Sequence, residues 1–176
     1  VVRREQDKVE RLKRPLDPAG IEFFRNRLAL DVRHLKWLGV TDIIHWTDAS
    51  GERVEHATAV PDARRQYASV DPLEELIKAA TPEGMNVWAA WHSCFRDEKI
   101  AQKYCGKSAA GELYKYGTRD YCEDLLGPAY RQRCFQLLDE YADKYAKLGN
   151  FKGLAAYDEL WFCYADFHGD DLPAID

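Results

Sequence analysis

The sequence lacks the motifs that mark several large classes of protein. It contains no Walker loop, no GxGxxG turn and no GxSxG nucleophile elbow, which argues against nucleotide-dependent chemistry and serine hydrolysis. It also contains no HxH or HExxH pair, and its five cysteines include no CxxC. We therefore expect an activity that uses no metal and no other cofactor.

Long apolar runs are missing as well. No run approaches the roughly 20 residues that cross a bilayer, so we expect a soluble protein that does not bind membranes. The formal net charge of -5 gives no general attraction to nucleic acid. Residues 1–16 are rich in arginine and lysine, but acidic residues are interleaved with them, and we expect a solvated, charged N-terminal arm.

Three of the cysteines, Cys94, Cys105 and Cys122, fall in one irregular segment. A bridge between two of them would staple a long loop if the compartment is oxidising, and buried free thiols are the alternative. We favour a secreted or periplasmic location over a cytoplasmic one.

Helix and strand signals alternate three times along residues 17–176. Asp-Pro pairs, an N-cap followed by proline at the first helical position, start the first two helices, and the third helix starts at a proline without that cap. Each helix leads to a short apolar run that is typical of a buried strand. The helices begin at Pro18, Pro72 and Pro128, and the strands begin at Thr41, Met85 and Gly153. This order predicts an α/β fold with parallel strands and right-handed crossovers, in which residues 94–127 form an insertion over the strand edge.

Apolar periodicity predicts which helix faces point inward. In the first helix the stripe is Ile21, Phe24, Leu28, Val32, Leu35 and Leu38. In the third helix it is Tyr130, Cys134, Leu137, Leu138, Tyr141, Tyr145 and Leu148. The strands are predicted to be buried on both faces, with Trp88 in the core.

Aromatic, imidazole and carboxylate side chains follow all three strands. They are His45 and Trp46, Trp91 and His92, and Asp158, Glu159 and Trp161. Because parallel strands end at one edge, these side chains are predicted to share a rim. Indole faces stack on the apolar faces of sugar rings while carboxylates and imidazoles bond hydroxyl groups, so the set favours a carbohydrate ligand. Each tryptophan taken alone is also compatible with core packing.

Glu159 is the predicted general acid. Its neighbours Tyr157, Trp161 and Phe162 would partly desolvate the carboxyl group and raise its pKa towards the range in which it protonates a leaving oxygen. Asp158 would orient it or hold a sugar hydroxyl. An exposed pair of loop acids or a helix cap is the other interpretation of Asp158 and Glu159.

The order of elements resembles the N-terminal half of a (β/α)8 TIM-barrel glycoside hydrolase. The segments Val70-Asp-Pro-Leu-Glu-Glu-Leu, Gly84-Met-Asn-Val-Trp, Leu138-Asp-Glu-Tyr-Ala, Phe151-Lys-Gly-Leu and Tyr157-Asp-Glu-Leu are similar to poorly characterised bacterial glycosidase-like barrels. In that clan the acid/base glutamate ends strand four and the nucleophilic glutamate ends strand seven. The resemblance implies that the three strands are strands two to four and that Glu159 is the acid/base.

Two departures from that clan stand out. Asp158 occupies a position where the clan usually has asparagine, and strands five to eight are missing together with the nucleophile. The resemblance therefore implies a partial (β/α)8 TIM barrel, which is a fragment of an enzyme that hydrolyses O-glycosidic bonds in oligo- or polysaccharides. The alternatives are a non-catalytic carbohydrate-binding barrel and a metal-dependent barrel hydrolase that uses His45 and His92. A homo-oligomer would supply a second copy to complete the barrel.

Overall fold

The computed structural model describes residues 17–47, 52–65, 69–91, 95–116 and 120–156. Its helices are α1 (Pro18–Trp37), α2 (Pro72–Ala80), α3 (Glu98–Tyr104) and α4 (Pro128–Tyr145). Its strands are β1 (Asp42–Thr47), β2 (Arg53–Val54), β3 (Arg64–Arg65), β4 (Asn86–Trp91), β5 (Lys115–Tyr116), β6 (Asp120–Tyr121) and β7 (Phe151–Ala156). The N-terminal arm and the segment from 157 to 176 lie outside the described residues.

The predicted helix starts are confirmed, and the side chains show why. Asp17 accepts a hydrogen bond from the backbone N of Gly20, and Asp71 accepts one from the backbone N of Glu74 at 3.0 Å, so each caps a helix that starts at proline. The helix α3 begins after Asp97, which caps it in the same way. After α1 the chain reverses at Gly39, whose φ of 84° is one that glycine adopts without strain.

Among the described residues, β1, β4 and β7 form one parallel sheet in the order β1-β4-β7. These strands are neighbours in the sheet in the same order as in the sequence. A barrel requires this order, whereas in a doubly wound sheet the strand order reverses. The helices α1, α2 and α4 all pack against the same face of the sheet. The described chain is therefore an α/β unit with alternating helices and parallel strands.

The main core lies between the sheet and these helices. Its strand residues alternate along the chain: Val87 and Ala89 are fully buried, and Ile43 and Leu154 pack against the same cluster. Met85, just before β4, is also buried, and the helices contribute the remaining buried side chains, which are Val32, Leu73, Leu76, Ile77, Ala80, Tyr141 and Tyr145. Burial of this set is the main stabilising contribution to the unit.

The burial prediction was wrong for β1 and right in part for α1 and α4. The strand β1 is covered on one face only, since Ile44 is 65% exposed. In α1 Val32 is buried and Leu28 and Leu35 pack against the core as predicted, but Leu38 is exposed. In α4 most of the predicted stripe is confirmed, because Tyr130, Leu137, Tyr141 and Tyr145 are buried, but Leu138 is 38% exposed. Arg133, which the prediction left out, is buried as well.

Arg133 is buried because aromatic rings surround it. Its guanidinium carbon lies 5.1 Å from the ring centroid of Tyr104 and 6.0 Å from that of Phe95. Both rings belong to residues 95–127, which pack as a separate small cluster over the first half of α4. Burial lowers the pKa of Arg133, and the aromatic faces and the charge of Asp62 act in the opposite direction.

Residues 95–127 lie between β4 and α4, where the sequence predicted an insertion. They contain α3 and the antiparallel pair β5–β6. Isolated β-bridges also pair Phe95 with Tyr121 and Cys105 with Glu123. Cys122 forms a disulfide bond, and Cys134 keeps a thiol whose pKa is raised by burial. No described helix is long and apolar enough to cross a membrane.

Candidate functional site

The ends of the three parallel strands lie side by side. Thr47, Trp91 and Ala156 are the last residues of β1, β4 and β7, and the pairing register joins Thr47 to Trp91 and Trp91 to Ala156. Asp158 and Glu159 follow Ala156 by two and three positions in the sequence. The sheet thus provides the common edge that the sequence predicted.

Four of the predicted site residues lie outside the described part of the chain. These are His92, Asp158, Glu159 and Trp161. The structure describes the strands that precede these residues in the sequence, and the roles of the residues themselves remain predictions.

Trp46 projects from the face of the sheet that no described helix covers. It is 49% exposed, and the pairing register places Ala90 and Ala155 beside it on β4 and β7. One row further from the strand ends, Ile44 pairs with Trp88 and Trp88 pairs with Gly153. We call the surface formed by these two rows the open face; the rows are Trp46, Ala90 and Ala155, and Ile44, Trp88 and Gly153.

Trp88 belongs to the open face and not to the helix-covered core, so its predicted burial was wrong. It is half-buried, and its indole Nε1 donates to Asp42 Oδ1 at 3.0 Å. Asp42 also accepts hydrogen bonds from Asn86 and Thr41. The bond from Trp88 and these two bonds lower the pKa of Asp42, so this carboxylate is charged at neutral pH. Asp42 is at the start of β1, far from the strand ends.

The structure does not bring His45 together with Trp46. Adjacent residues of a strand face opposite sides, and the His45 imidazole turns towards the helices. Its Nε2 lies 3.0 Å from both carboxylate oxygens of Glu55, which is almost completely buried. Glu55 also accepts from the backbone N of Leu73 at 3.1 Å. His45 therefore joins β1 to the loop that follows it and to the start of α2.

A second group of buried polar side chains lies beside this pair. Asp71 accepts hydrogen bonds from the hydroxyl of Tyr145 at 2.7 Å and from the ammonium of Lys144 at 2.6 Å. Burial alone would raise the pKa of Asp71, but the hydrogen bonds from Lys144, Glu74 and Tyr145 lower it overall. Burial and the neighbouring carboxylate raise the pKa of Tyr145, which stays protonated. This arrangement anchors α4 to the start of α2.

A third pair extends the polar layer. The buried ring of His56 lies 3.0 Å from Glu140 and contacts the rings of Tyr141 and Tyr145 edge-on. Glu140 also accepts a hydrogen bond from the backbone N of Ala59, which ties the loop after β2 to α4. Sequence analysis missed Glu55 and His56, because a polar loop without periodicity carries no signal of which side chains are buried.

Two other features bear on where a ligand would bind. In the described part of the chain, no group of three or more histidine, cysteine, aspartate or glutamate side chains could hold a metal ion. A shallow groove of about 400 Å³ lies on the outer side of α4, lined by residues such as Leu126 and Phe135. It faces away from the sheet, so we do not assign the substrate to it.

Comparisons with known proteins identify the fold. No protein-family model and no curated protein matches the chain. Among solved structures, the β-galactosidase from the psychrophilic Marinomonas ef1 matches with a TM-score of 0.57 and 14% identity, over 80% of this chain and 20% of that one. A noncanonic maltogenic α-amylase, AmyB from Thermotoga neapolitana, matches with a TM-score of 0.53 and 10% identity, over 75% of this chain and 34% of that one.

These similarities define a class of fold and no particular protein. Both solved structures are glycoside hydrolases with TIM-barrel folds, and the chain spans between a fifth and about a third of their lengths. The described strands and helices are those of part of a TIM barrel, which confirms the predicted fold class. At identities this low the similarity establishes the fold alone.

Proposed function

We propose that the chain is part of a glycoside hydrolase that cleaves O-glycosidic bonds in oligo- or polysaccharides, with its site at the ends of β1, β4 and β7. The observation that carries the proposal is the aligned edge formed by Thr47, Trp91 and Ala156, because Asp158 and Glu159 follow this edge directly in the sequence. In TIM barrels catalytic residues lie at this end of the strands. The two solved glycosidases with this fold support the same class of activity.

In the proposed mechanism Glu159 is the acid/base. It protonates the leaving oxygen as the glycosidic bond breaks, and then removes a proton from the attacking water. Asp158 holds a sugar hydroxyl beside it. A retaining mechanism requires a second carboxyl about 5 Å away as nucleophile, and the clan that the sequence resembles supplies it from the seventh strand of the barrel.

The remaining site residues would bind the sugar. Trp46 and Trp161 offer indole rings, while Trp91 ends β4 and His92 follows it directly. His45 has a different role, because its imidazole is held by Glu55 on the helix side of the sheet. We propose that it fixes the loop after β1 and does not touch the substrate.

The experiment uses the natural protein that contains this chain and compares Glu159→Gln with the wild type on two kinds of aryl glycoside. For substrates with a poor leaving group, which need protonation, we expect a loss in kcat/KM of roughly 10² to 10⁴-fold. For dinitrophenyl glycosides, which leave without protonation, the first step should be spared.

Glu22→Gln is the matched control, since Glu22 is an exposed glutamate on α1. This variant should keep wild-type rates on both substrates. If Glu159→Gln hydrolyses both kinds of glycoside at wild-type rates, Glu159 is not the acid/base and the proposal is wrong.

A non-catalytic carbohydrate-binding barrel is the second candidate, and the exposed indole of Trp46 favours it. A comparison of the wild type with Glu159→Gln distinguishes the two functions. A binding protein would hold oligosaccharides with equal affinity in the wild type and in Glu159→Gln, and neither would release reducing sugar. A metal-dependent hydrolase that uses His92 would instead lose activity in the presence of a chelator.

A further inference from the structure

The helix α1 carries a line of large apolar side chains on its surface. Phe23, Leu30 and Trp37 are 73%, 51% and 80% exposed. The ring of His34 lies beside that of Trp37, with 6.1 Å between the centroids, and still leaves Trp37 exposed. The three apolar residues follow one another at intervals of seven, close to two helical turns, so they form a line about 21 Å long. We call this line the outer stripe.

The outer stripe lies on the side of α1 that is opposite to the core. Leu28 and Leu35 pack against the core cluster, and Leu30 and Trp37 each follow two residues later, a rotation of about 200° around the helix axis. In a barrel each helix contacts the sheet on its inner side and other helices on its flanks. Further elements of the same barrel would therefore leave the outer stripe uncovered.

An ion pair fixes the rotation of α1. Arg25 Nε and one of its Nη atoms donate to the two carboxylate oxygens of Glu75 on α2, at 2.7 and 2.8 Å. Two parallel hydrogen bonds set the orientation of the side chains as well as their distance. The same helix buries Val32. To turn the outer stripe inward, α1 would have to break this pair and expose Val32.

The outer stripe is large enough for a specific association. Exposed apolar side chains that are grouped on one surface mark sites of interaction. Aromatic side chains have areas of roughly 200 Å² each, so two stripes packed together would bury on the order of 1,000 Å². This area is near the lower limit for specific protein interfaces, and we expect association in the micromolar range.

The charges beside the outer stripe fit a second copy of the chain. On one flank Glu22 lies near the start of α1, and Arg33 and Lys36 lie near its end. Glu22 and Lys36 form no ion pair with the described residues. In an antiparallel pair of α1 helices centred on Leu30, the start of one helix lies beside the end of the other. Glu22 is then within about 3 Å, measured along the axis, of Lys36 of the partner subunit.

The other flank adds no repulsion to such a pair. Arg27 lies there, and its Nε is 3.2 Å from a carboxylate oxygen of Asp31 on the same helix, so its charge is compensated. A lipid surface fits the stripe less well than a second copy does. A helix that lies on anionic lipid carries lysine and arginine on its polar face, whereas the acids Glu22 and Asp31 flank this stripe.

We propose that two copies of the chain associate through the outer stripe as an antiparallel pair of α1 helices. The two-fold axis passes between the two copies of Leu30, and Phe23 packs against Trp37 of the partner subunit. Two ion pairs between Glu22 and Lys36 flank this apolar contact. The inference does not rest on the proposed glycosidase function, because the stripe faces away from the sheet.

The test is analytical ultracentrifugation of the natural protein that contains this chain, at concentrations from about 1 to 500 μM. We expect a monomer–dimer equilibrium whose Kd Trp37→Ala weakens tenfold or more. Lys36→Glu should weaken it about fivefold, because like charges then face each other twice.

The double variant Glu22→Lys with Lys36→Glu should restore the Kd to within about twofold of the wild type. Within one chain these residues are about 21 Å apart along α1, too far to pair, so the rescue reports contact between copies.

Phe135→Ala is the matched control, since it removes an exposed aromatic ring from α4. The control should keep the wild-type Kd, and circular dichroism melting should show that each variant is folded. Turnover by the variants of α1 should stay at the wild-type rate whether or not the proposed glycosidase function holds.

Three results would overturn the inference. One is a protein that stays monomeric at the highest concentration, and its cosedimentation with phosphatidylserine vesicles would then assign the stripe to a lipid surface. Another is a dimer that Trp37→Ala leaves unchanged, or that Phe135→Ala weakens equally. The third is failure of the double charge reversal to restore a dimer that Lys36→Glu weakens.

Discussion

The two faces of the β1-β4-β7 sheet are made by alternate residues of the same strands, yet they differ in what packs against them. On the helix-covered face Val87 and Ala89 are completely buried. On the open face, Ile44 and Trp46 of the edge strand β1 are 65% and 49% exposed, whereas Ala90 of the central strand β4 is 4% exposed. The strands themselves therefore do not determine burial; the layer packed against each face does.

The difference indicates which face carries stability and which is available for function. Polar side chains on the helix side, such as Asp71 and Glu55, are paired and hold elements together. The open face presents indole rings beside alanine and glycine. The sequence pattern of β1, with Ile43 and Ile44 both apolar, is that of a strand covered on two sides. The described residues supply a cover for one side only.

The largest effect should come from the helix-covered face. Leu73→Ala removes a completely buried side chain from the core, so we expect the free energy of unfolding to fall by about 2 to 5 kcal/mol. Urea denaturation followed by circular dichroism measures it. A loss below about 1 kcal/mol would show that the core between α2 and the sheet is not packed as described.

The next effect concerns the polar layer. Asp71→Asn replaces a carboxylate that Lys144 and Tyr145 bind, and we expect a loss of about 2 to 4 kcal/mol at pH 7. The folded pKa of Asp71 is lowered, so its contribution is present above the unfolded value of about 3.9 and is lost as pH falls through the folded pKa.

Urea denaturation at a series of pH values tests this sign. The difference in stability between the wild type and Asp71→Asn should be constant near neutrality and shrink below about pH 4. A difference that grows towards acid pH would contradict the assignment of Asp71 as a charged, paired group.

On the open face, a smaller loss is expected from Gly153→Ala. The added Cβ finds ordinary contact distance to Trp88, so space is not the obstacle. The φ of 134° is the obstacle, and we expect a cost of about 1 to 3 kcal/mol in thermal or urea unfolding. An unchanged stability would mean that Gly153 does not hold this conformation in β7.

The smallest effect should come from Ile44→Ala in the 176-residue chain. Its side chain is largely exposed on the open face, so the stability should change by no more than about 0.5 kcal/mol. A loss of about 2 kcal/mol or more would show that another layer covers this face, and the comparison between the two faces would then fail.

Local signals made much of the fold predictable. Asp17, Asp71 and the three prolines gave the helix starts, and short apolar runs gave the three parallel strands, because both depend on neighbours in the chain. The burial of Arg133 was not predictable. It depends on Phe95 and Tyr104, which reach α4 only through the folding of residues 95–127.

The candidate site was predictable in part. The common edge of the strands follows from their parallel order, so the meeting of Thr47, Trp91 and Ala156 could be expected. The separation of His45 from Trp46 follows from strand alternation, but only once the strand is known to extend beyond both residues. The pairing of His45 with Glu55 could not be inferred, since it joins a strand to an aperiodic loop.

The most direct test of the account is the pH dependence of kcat/KM for an unactivated aryl glycoside, measured for the natural protein and for Glu159→Gln. The account predicts a bell-shaped profile for the wild type, whose basic limb reports the protonated acid. In Glu159→Gln the rate should be low and this basic limb should disappear. A variant that keeps the wild-type profile, basic limb included, would contradict the assignment of the site to the ends of β1, β4 and β7.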